Sequence, residues 1–452
     1  MDPIKYYSTN YKADPVSFGH ALLQGQAPDR GLYMPVRIPK LLDKKLNEMS
    51  GMSYPELAFE ILNAFLAGEV PSHILRELVE DAYNYPVPLE HVFDRNYVMR
   101  LDQGPTASFK DFAARMMGRL MSHYLEMDRK ELFILTATSG DTGSAIANAF
   151  YGLDNIRVLI LFPEKEVTPR QRKQMTTLGK NVEVMAIKGK FDDCQAMVKQ
   201  AFADPDLEGL NLSSANSINI GRLLPQSVYY FYAWAQLRKS LDDKPVFVVP
   251  SGNFGDMMGG MIAWKMGLPV ERMVIAVNEN DEFPEFLCTG DYEKIEPSRN
   301  CISSAMNVGH PSNLARLVAL YGGVMDEKGI IHKPADMEQM RRDISAVSVS
   351  DAETKATIAK AWNHHKLLLE PHGAVGWAGL QHFIRSQIGA SNQQLRVVLE
   401  TAHPAKFPEQ IQEILKFDPK LPPSLEGLEE LEENYGLLEN GYEHFKKHLL
   451  AK

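Results

Sequence analysis

Short, continuous apolar runs recur along this chain, each followed by a segment of helical periodicity, and this alternation restricts the fold more than any other feature. The runs are 131–137 (ELFILTA), 157–162 (RVLILF), 182–187 (VEVMAI), 245–250 (PVFVVP), 272–277 (RMVIAV) and 396–401 (RVVLET). Strands this uniformly apolar need cover on both faces, and the helical segments between them supply it, so the sheets are parallel. The intervening periodicity predicts helices over 145–151, 168–178, 192–202 and 225–237, and one ending at Met266. One series of strands precedes Pro225 and another follows it, which predicts two α/β sheet systems with a cleft between them. The expected division is a helix-rich segment over 1–95, a smaller α/β unit over 96–224, and a larger one over 225–452. In the first segment 17–23, 54–62 and 72–79 read as helices, with Ser72 as an N-cap. The charged residues of that segment read as solvated faces. The acidic, Leu-rich tail from Leu421 reads as helices packed on the outside.

Composition then removes several classes of function. The 452 residues carry a net charge of −10, with no basic block at either end, which argues against nucleic acid or an anionic membrane as partner. No run approaches the roughly 20 apolar residues of a membrane span, and the opening Met1-Asp2-Pro3-Ile4-Lys5 lacks the apolar core of a signal peptide. Cys194, Cys288 and Cys301 stand singly, without a disulfide framework or a zinc pattern. These features suit a reduced, cytoplasmic, soluble protein with no metal.

Chemistry gathers where strands give way to turns. Lys110 follows the loop Gly104-Pro105-Thr106-Ala107-Ser108-Phe109 and opens a helical pattern carried by Phe112, Met116 and Leu120. Partial desolvation between Phe109 and Phe112 favours a neutral amine, a nucleophile able to form a Schiff base; alone, the residue fits an ordinary surface lysine at a helix start far better, and only its company along the chain reverses that. Thr138-Ser139-Gly140-Asp141-Thr142 follows a strand and precedes a helix of small residues, an arrangement suited to a carboxylate or phosphate, or simply a capped turn. Gly252-Asn253-Phe254-Gly255 repeats that logic, and with neither a GK[ST] nor a GxGxxG pattern it suits a single phosphate better than a nucleotide. Asn216, Ser217 and Arg222 offer groups for a further anion, although alone that segment fits a loop leading into a helix better. Thr401 ends the last strand with a hydroxyl. His364, His365 and His372 lack metal-pair spacing and read as structural. A loop lysine, two anion-binding turns and a strand-end hydroxyl together fit pyridoxal phosphate best.

The segments GPTASFKDFA, TATSGDTGSA, NSINIGRLLPQS, PSGNFGD, EPHGAVG and TAHPAKFPE, with the early SFGHALLQGQAPDRGLYMP, occur in an order that resembles the threonine synthase family of the bacterial and fungal branch. The resemblance implies a fold-type II pyridoxal-phosphate enzyme, similar to the tryptophan synthase β chain, that makes L-threonine and phosphate from O-phospho-L-homoserine and water. It implies Lys110 as the Schiff-base lysine and Gly252, Asn253, Phe254 and Gly255 as the holders of the cofactor phosphate. Thr401 would face the pyridine nitrogen. Thr138, Ser139, Gly140 and Thr142 would take the substrate carboxylate, with Asp141 beside the cofactor 3′-oxygen; many relatives carry asparagine there. Asn216, Ser217 and Arg222 would lie near the substrate phosphate. Gly373 departs from a position that often carries threonine or serine. The long N-terminal extension by which plant relatives sense S-adenosylmethionine is absent, so that regulation is not expected. A monomer or homodimer is expected. A lyase or dehydratase of the same fold, or a non-catalytic relative, is the competing reading; the second anion segment speaks against the first and the intact lysine against the second.

Overall fold

In the computed structural model, which describes residues 2–138, 140–386 and 391–451, the apolar runs form the middles of two sheets. Leu132–Ala137 pairs in parallel with Ile156–Pro163, and that strand with Val182–Ile187. Alternate residues face opposite ways. Phe133, Leu135, Leu159 and Leu161 meet Cys194, Met197 and Val198 of the helix Phe191–Ala203. Ile134, Val158 and Ile160 turn the other way into the main core. Both faces are covered, as continuous apolar strands require.

The larger sheet runs in the order Ile344–Ser348, Arg272–Val277, Val246–Pro250, Arg396–Glu400, Asn96–Arg100 and Leu89–Phe93. Only its last pair is antiparallel. Val98, Val248, Val274 and Val398 pack beneath Trp377 and Leu380 of the helix Pro371–Ser386, while Phe247, Val249 and Ile275 face the main core.

The expected division at residues 95 and 225 does not follow the sheets. Asn96–Arg100 and Leu89–Phe93 belong to the larger sheet, because Asn96–Arg100 pairs residue for residue with Arg396–Glu400. Its polar ends, Asn96 and Arg100, hid it among the segments read as helical or looped. The tail departs from the expected helices as well. Gly436–Leu438 adds a parallel strand to Val182–Ile187 in the smaller sheet, and only Tyr442–Leu450 is an α-helix. Ser72 is the first helical residue and makes no cap; the capping box of the first segment is Ser53 with Glu56.

Candidate active site

The turns singled out in the sequence lie at the carboxyl ends of parallel strands, where open α/β sheets present their clefts. Residues 138–141 follow Leu132–Ala137, residues 251–255 follow Val246–Pro250, and Thr401 follows Arg396–Glu400. The loop that leads to Lys110 is tied to the Thr401 segment by backbone hydrogen bonds. The Phe109 N–H donates to the Thr401 carbonyl at 2.9 Å and the His403 N–H to the Ala107 carbonyl at 3.0 Å. Ser108 and Ala402 form a bridge between them. The loop is shaped from within by Asp111, which accepts from the Thr106 N–H at 2.9 Å and the Thr106 hydroxyl at 2.6 Å.

The Lys110 side chain, 12% exposed, opens the helix Lys110–Asp128 with its Nζ 3.9 Å from Asp141 Oδ2. Burial pushes its amine below the ordinary lysine value; Asp141 pulls it back up, while Lys406 and Arg222 press it further down. Desolvation favours the neutral amine, as the sequence predicts, and two neighbouring cations add to it.

Asp141 begins the helix Asp141–Phe150, which starts four residues before the expected 145. Burial alone would raise its carboxyl. The Lys406 and Lys110 ammonium groups and an amide bond from Gln171 outweigh that and hold it well below the usual carboxylate range. Thr138 is buried, and its hydroxyl accepts the Gly140 and Gly143 N–H groups at 3.0 and 2.8 Å, so it shapes the turn from inside. Gly140 has φ +138°, and a Cβ there would meet the Gln171 amide at 2.7 Å, so only glycine suits the position. Thr142 is half-buried in the first turn of the helix, and Ser139 lies outside the described residues.

The turn at 252–255 leaves no room for a side chain at Gly252. A Cβ on Gly252 would lie 2.8 Å from Met306 Cα and 3.0 Å from the Ala305 carbonyl oxygen. Gly255 opens the 12-residue helix Gly255–Met266 and looks across to Ser217, whose Cβ would be 3.4 Å from a Cβ there. Phe254 holds φ +62° with its ring buried against Phe283. Asn253 turns its side chain to the Ser312 N–H at 2.8 Å, and its carbonyl accepts from Asn313 Nδ2 at 2.9 Å. The turn therefore offers backbone N–H groups and a helix N-terminus, the combination that binds a phosphate group.

Ser217 is drawn to the same place from the other side. Its carbonyl accepts from Asn313 Nδ2 and from Arg316, a fully buried guanidinium that also donates to Tyr33, Ile218 and Asn313. Asn216 Oδ1 accepts from the Thr136 hydroxyl at 2.7 Å. Arg222 is buried in the short helix Ile220–Leu223 and donates to the Ala215 carbonyl at 2.8 Å. Among the described residues it forms no ion pair, and its Nε has no hydrogen-bond partner. Burial pushes it down to about 10, with Asp111 and Tyr229 pulling back up. Arg316, Asn313, Gln171 and Lys406 escaped the sequence reading. Lys406 stands in TAHPAKFPE, but nothing local marks it as buried.

The residues fit pyridoxal phosphate on these observations: a desolvated lysine, a helix N-terminus preceded by a turn that admits no side chain at Gly252, and two buried polar atoms without partners among the described residues, Arg222 Nε and Ser108 Oγ.

Beneath the site Glu370 hydrogen-bonds His372 and accepts the Gly373 N–H at 2.8 Å, while Glu400 Oε1 accepts the Glu370 N–H at 3.1 Å. His372 is thus held structurally, its Nε2 taking the Ala305 N–H. A Cβ on Gly373 would overlap the Glu400 carboxyl group, which explains the glycine where the resemblance leads one to expect threonine or serine. Gly373→Ala should cost about 1–3 kcal/mol by overpacking, since the buried Glu400 carboxyl group must shift. The loss should shrink when combined with Glu400→Ala, since the two share one space. Melting curves of both single variants and the double variant check this; additive losses would contradict it.

Asp256 follows Gly255 in the first turn of its helix, hydrogen-bonded by Tyr229 and Tyr230, and burial pushes it up to about 6 against those bonds. A carboxyl raised in the folded state binds its proton there at pH values where the unfolded chain has lost it. Stability should therefore fall as pH rises from about 4 to about 6, by up to about 3 kcal/mol. Asp256→Asn should remove that fall, so variant and wild type diverge in urea midpoint between pH 4 and 7. Parallel pH profiles would contradict it.

Comparison with known proteins agrees with this geometry. A family of pyridoxal-phosphate dependent enzymes matches residues 86–399, the threonine synthase N terminus family matches residues 5–83, and the threonine synthase C-terminal family matches residues 373–449. A threonine synthase of Haemophilus influenzae is 39% identical over 98% of this chain and 99% of its own. The chain belongs to the threonine synthase family. Among solved structures, PLP-bound threonine synthase from Brucella melitensis shares the fold with a TM-score of 0.92, at 36% identity over 99% of this chain and 98% of its own. Threonine synthase from yeast has a TM-score of 0.90, at 32% identity over 99% of each chain. The family fixes the fold-type II architecture and pyridoxal phosphate as cofactor. Among the described residues no helix is long and apolar enough to cross a membrane.

Proposed function

We propose that this chain makes L-threonine from O-phospho-L-homoserine and water in the cytoplasm, with Lys110 carrying the cofactor and Arg222 receiving the substrate phosphate. Threonine synthesis with pyridoxal phosphate is the family's activity. What supports the phosphorylated substrate is Arg222: a buried guanidinium without a carboxylate partner among the described residues, close enough to Lys110 to depress its amine. A dianion at that point would complete its pairing.

In this reading Lys110, the backbone of 252–255 and Thr401 hold the cofactor. Pyridoxal phosphate, when bound, supplies a sink for the electron pair left when a proton leaves the amino-acid Cα. The Lys110 amine, whose lowered pKa leaves more of it as free base, would take that proton, give it up to the cofactor, and only then take one from Cβ. Arg222, with Asn216 and Ser217, holds the phosphate as it leaves from Cγ. The turn Ser139–Thr142, shaped by Thr138, takes the substrate carboxylate at the helix N-terminus. Lys110 would give the Cβ proton to Cγ, which becomes the methyl group once phosphate has left; the hydroxyl of water adds at Cβ with its remaining proton going to the phosphate, and the first proton returns through Lys110 to Cα. A neutral hydroxyl such as Thr401 at the ring nitrogen does not hold that nitrogen protonated as a carboxylate would.

Purified protein supplied with pyridoxal phosphate and O-phospho-L-homoserine should release threonine and phosphate in equal amounts. Phosphate release accompanied by 2-oxobutyrate in place of threonine would favour a related lyase.

A further inference from the structure

Lys406 is fully buried, and none of the roles above uses it. Its Nζ lies 2.6 Å from Asp141 Oδ1 and donates to the Thr106 carbonyl at 2.8 Å. Asp141 Oδ1 also accepts from Gln171 Nε2 at 2.9 Å, while Oδ2 faces Lys110 Nζ across 3.9 Å. One carboxylate thus stands between two lysines, tightly paired with one and at the outer limit of pairing with the other. The arrangement is held from both ends. Lys406 sits in the turn Pro404–Lys406, which His403 ties to the Ala107 carbonyl, and Asp141 is fixed at the start of its helix.

We infer that Lys406 is a positioning residue: by occupying Asp141 it keeps that carboxylate from closing on Lys110, and so keeps the Lys110 amine free as nucleophile and proton carrier. The inference rests on the assignment of Lys110 as the cofactor lysine. The charged groups that act on Lys110 come from each element around it: Asp141, Lys406, Arg222 and Glu370, with Asp256 also felt; Asp111, the next residue on its own helix, is turned to Thr106. Of these, Asp141 is the one carboxylate in ion-pair reach of Lys110 among the described residues. A carboxylate free to approach would stabilise the ammonium form, and loss of the Lys406 charge would do the same by removing a repulsion. Both effects have one sign.

The test is trace acetylation of the cofactor-free protein with labelled acetic anhydride across pH, with the Lys110 peptide quantified by mass spectrometry. The wild-type midpoint should lie below that of an ordinary lysine. In Lys406→Met it should move up by on the order of one pH unit or more, and in Asp141→Asn it should move down. An unmoved midpoint in a folded Lys406→Met protein, checked by circular dichroism, would mean that Lys406 only ties Thr106 to Asp141. Should Lys406→Met fail to fold, Lys406→Gln fills the space without the charge and leaves the Asp141 carboxylate in place. Its midpoint should also lie above the wild-type value; an equal midpoint would overturn the inference. Borohydride reduction of the wild-type holoenzyme separates this from the underlying assignment. Cofactor trapped on Lys110 with unmoved midpoints defeats the role of Lys406 alone, and cofactor trapped on another lysine defeats both.

Discussion

Lys110→Ala should abolish the visible absorbance of lysine-bound cofactor and lower threonine formation by about a thousandfold or more, since one residue supplies both the anchor and the proton transfers. Retention of the cofactor should suffer less, because its phosphate would belong to the turn at 252–255, whose shape depends on Met306, Ser312 and Asn313 and not on the lysine. Absorbance spectra and a coupled phosphate assay on the variant check both parts. Turnover near the wild-type rate would remove Lys110 from the role. Unchanged folding is expected, because the loop is held by Asp111 and by backbone bonds to residues 401–403.

Arg222→Ala should weaken binding of a non-reactive phosphonate analogue of the substrate by about 2–5 kcal/mol, the range for truncating one member of a buried charge pair. Cofactor affinity should be almost unchanged. The free variant should lose no stability, since relief from burying a guanidinium that lacks an anionic partner among the described residues offsets the lost hydrogen bond to the Ala215 carbonyl. A merely structural arginine would behave oppositely, with lower stability and equal effects on both ligands. Separate titrations with cofactor and analogue, alongside a melting curve, decide between them. Arg222→Lys should recover only part of the affinity, because an ammonium cannot present the planar fork.

The sequence reading succeeded where local physics was sufficient. Strands buried on both faces must be apolar throughout, so Leu132–Ala137, Val246–Pro250 and Arg396–Glu400 were visible without knowledge of their partners. Glycines at Gly140 and Gly252, where a Cβ would clash, mark the turns that follow two of these strands. It failed where the cause lies far along the chain. Asn96–Arg100 becomes a strand because Arg396–Glu400 offers a free edge, and Gly436–Leu438 because Val182–Ile187 does. Lys406 and Arg316 resemble any other cation in sequence; only the folded chain buries them, one against Asp141 and the other among carbonyls. Gly373 was legible only as an oddity until Glu400 was found occupying the space a side chain would need.

The central claim is that two separate anion sites flank Lys110, one for each phosphate. A crystal structure of the Lys110→Ala protein with pyridoxal phosphate and the phosphonate analogue tests it most directly. The account predicts the cofactor phosphate against the backbone of Gly252–Gly255 and the phosphonate against Arg222, with Asn216 and Ser217 beside it. A phosphonate bound away from Arg222, or a cofactor phosphate bound to it, would contradict the account.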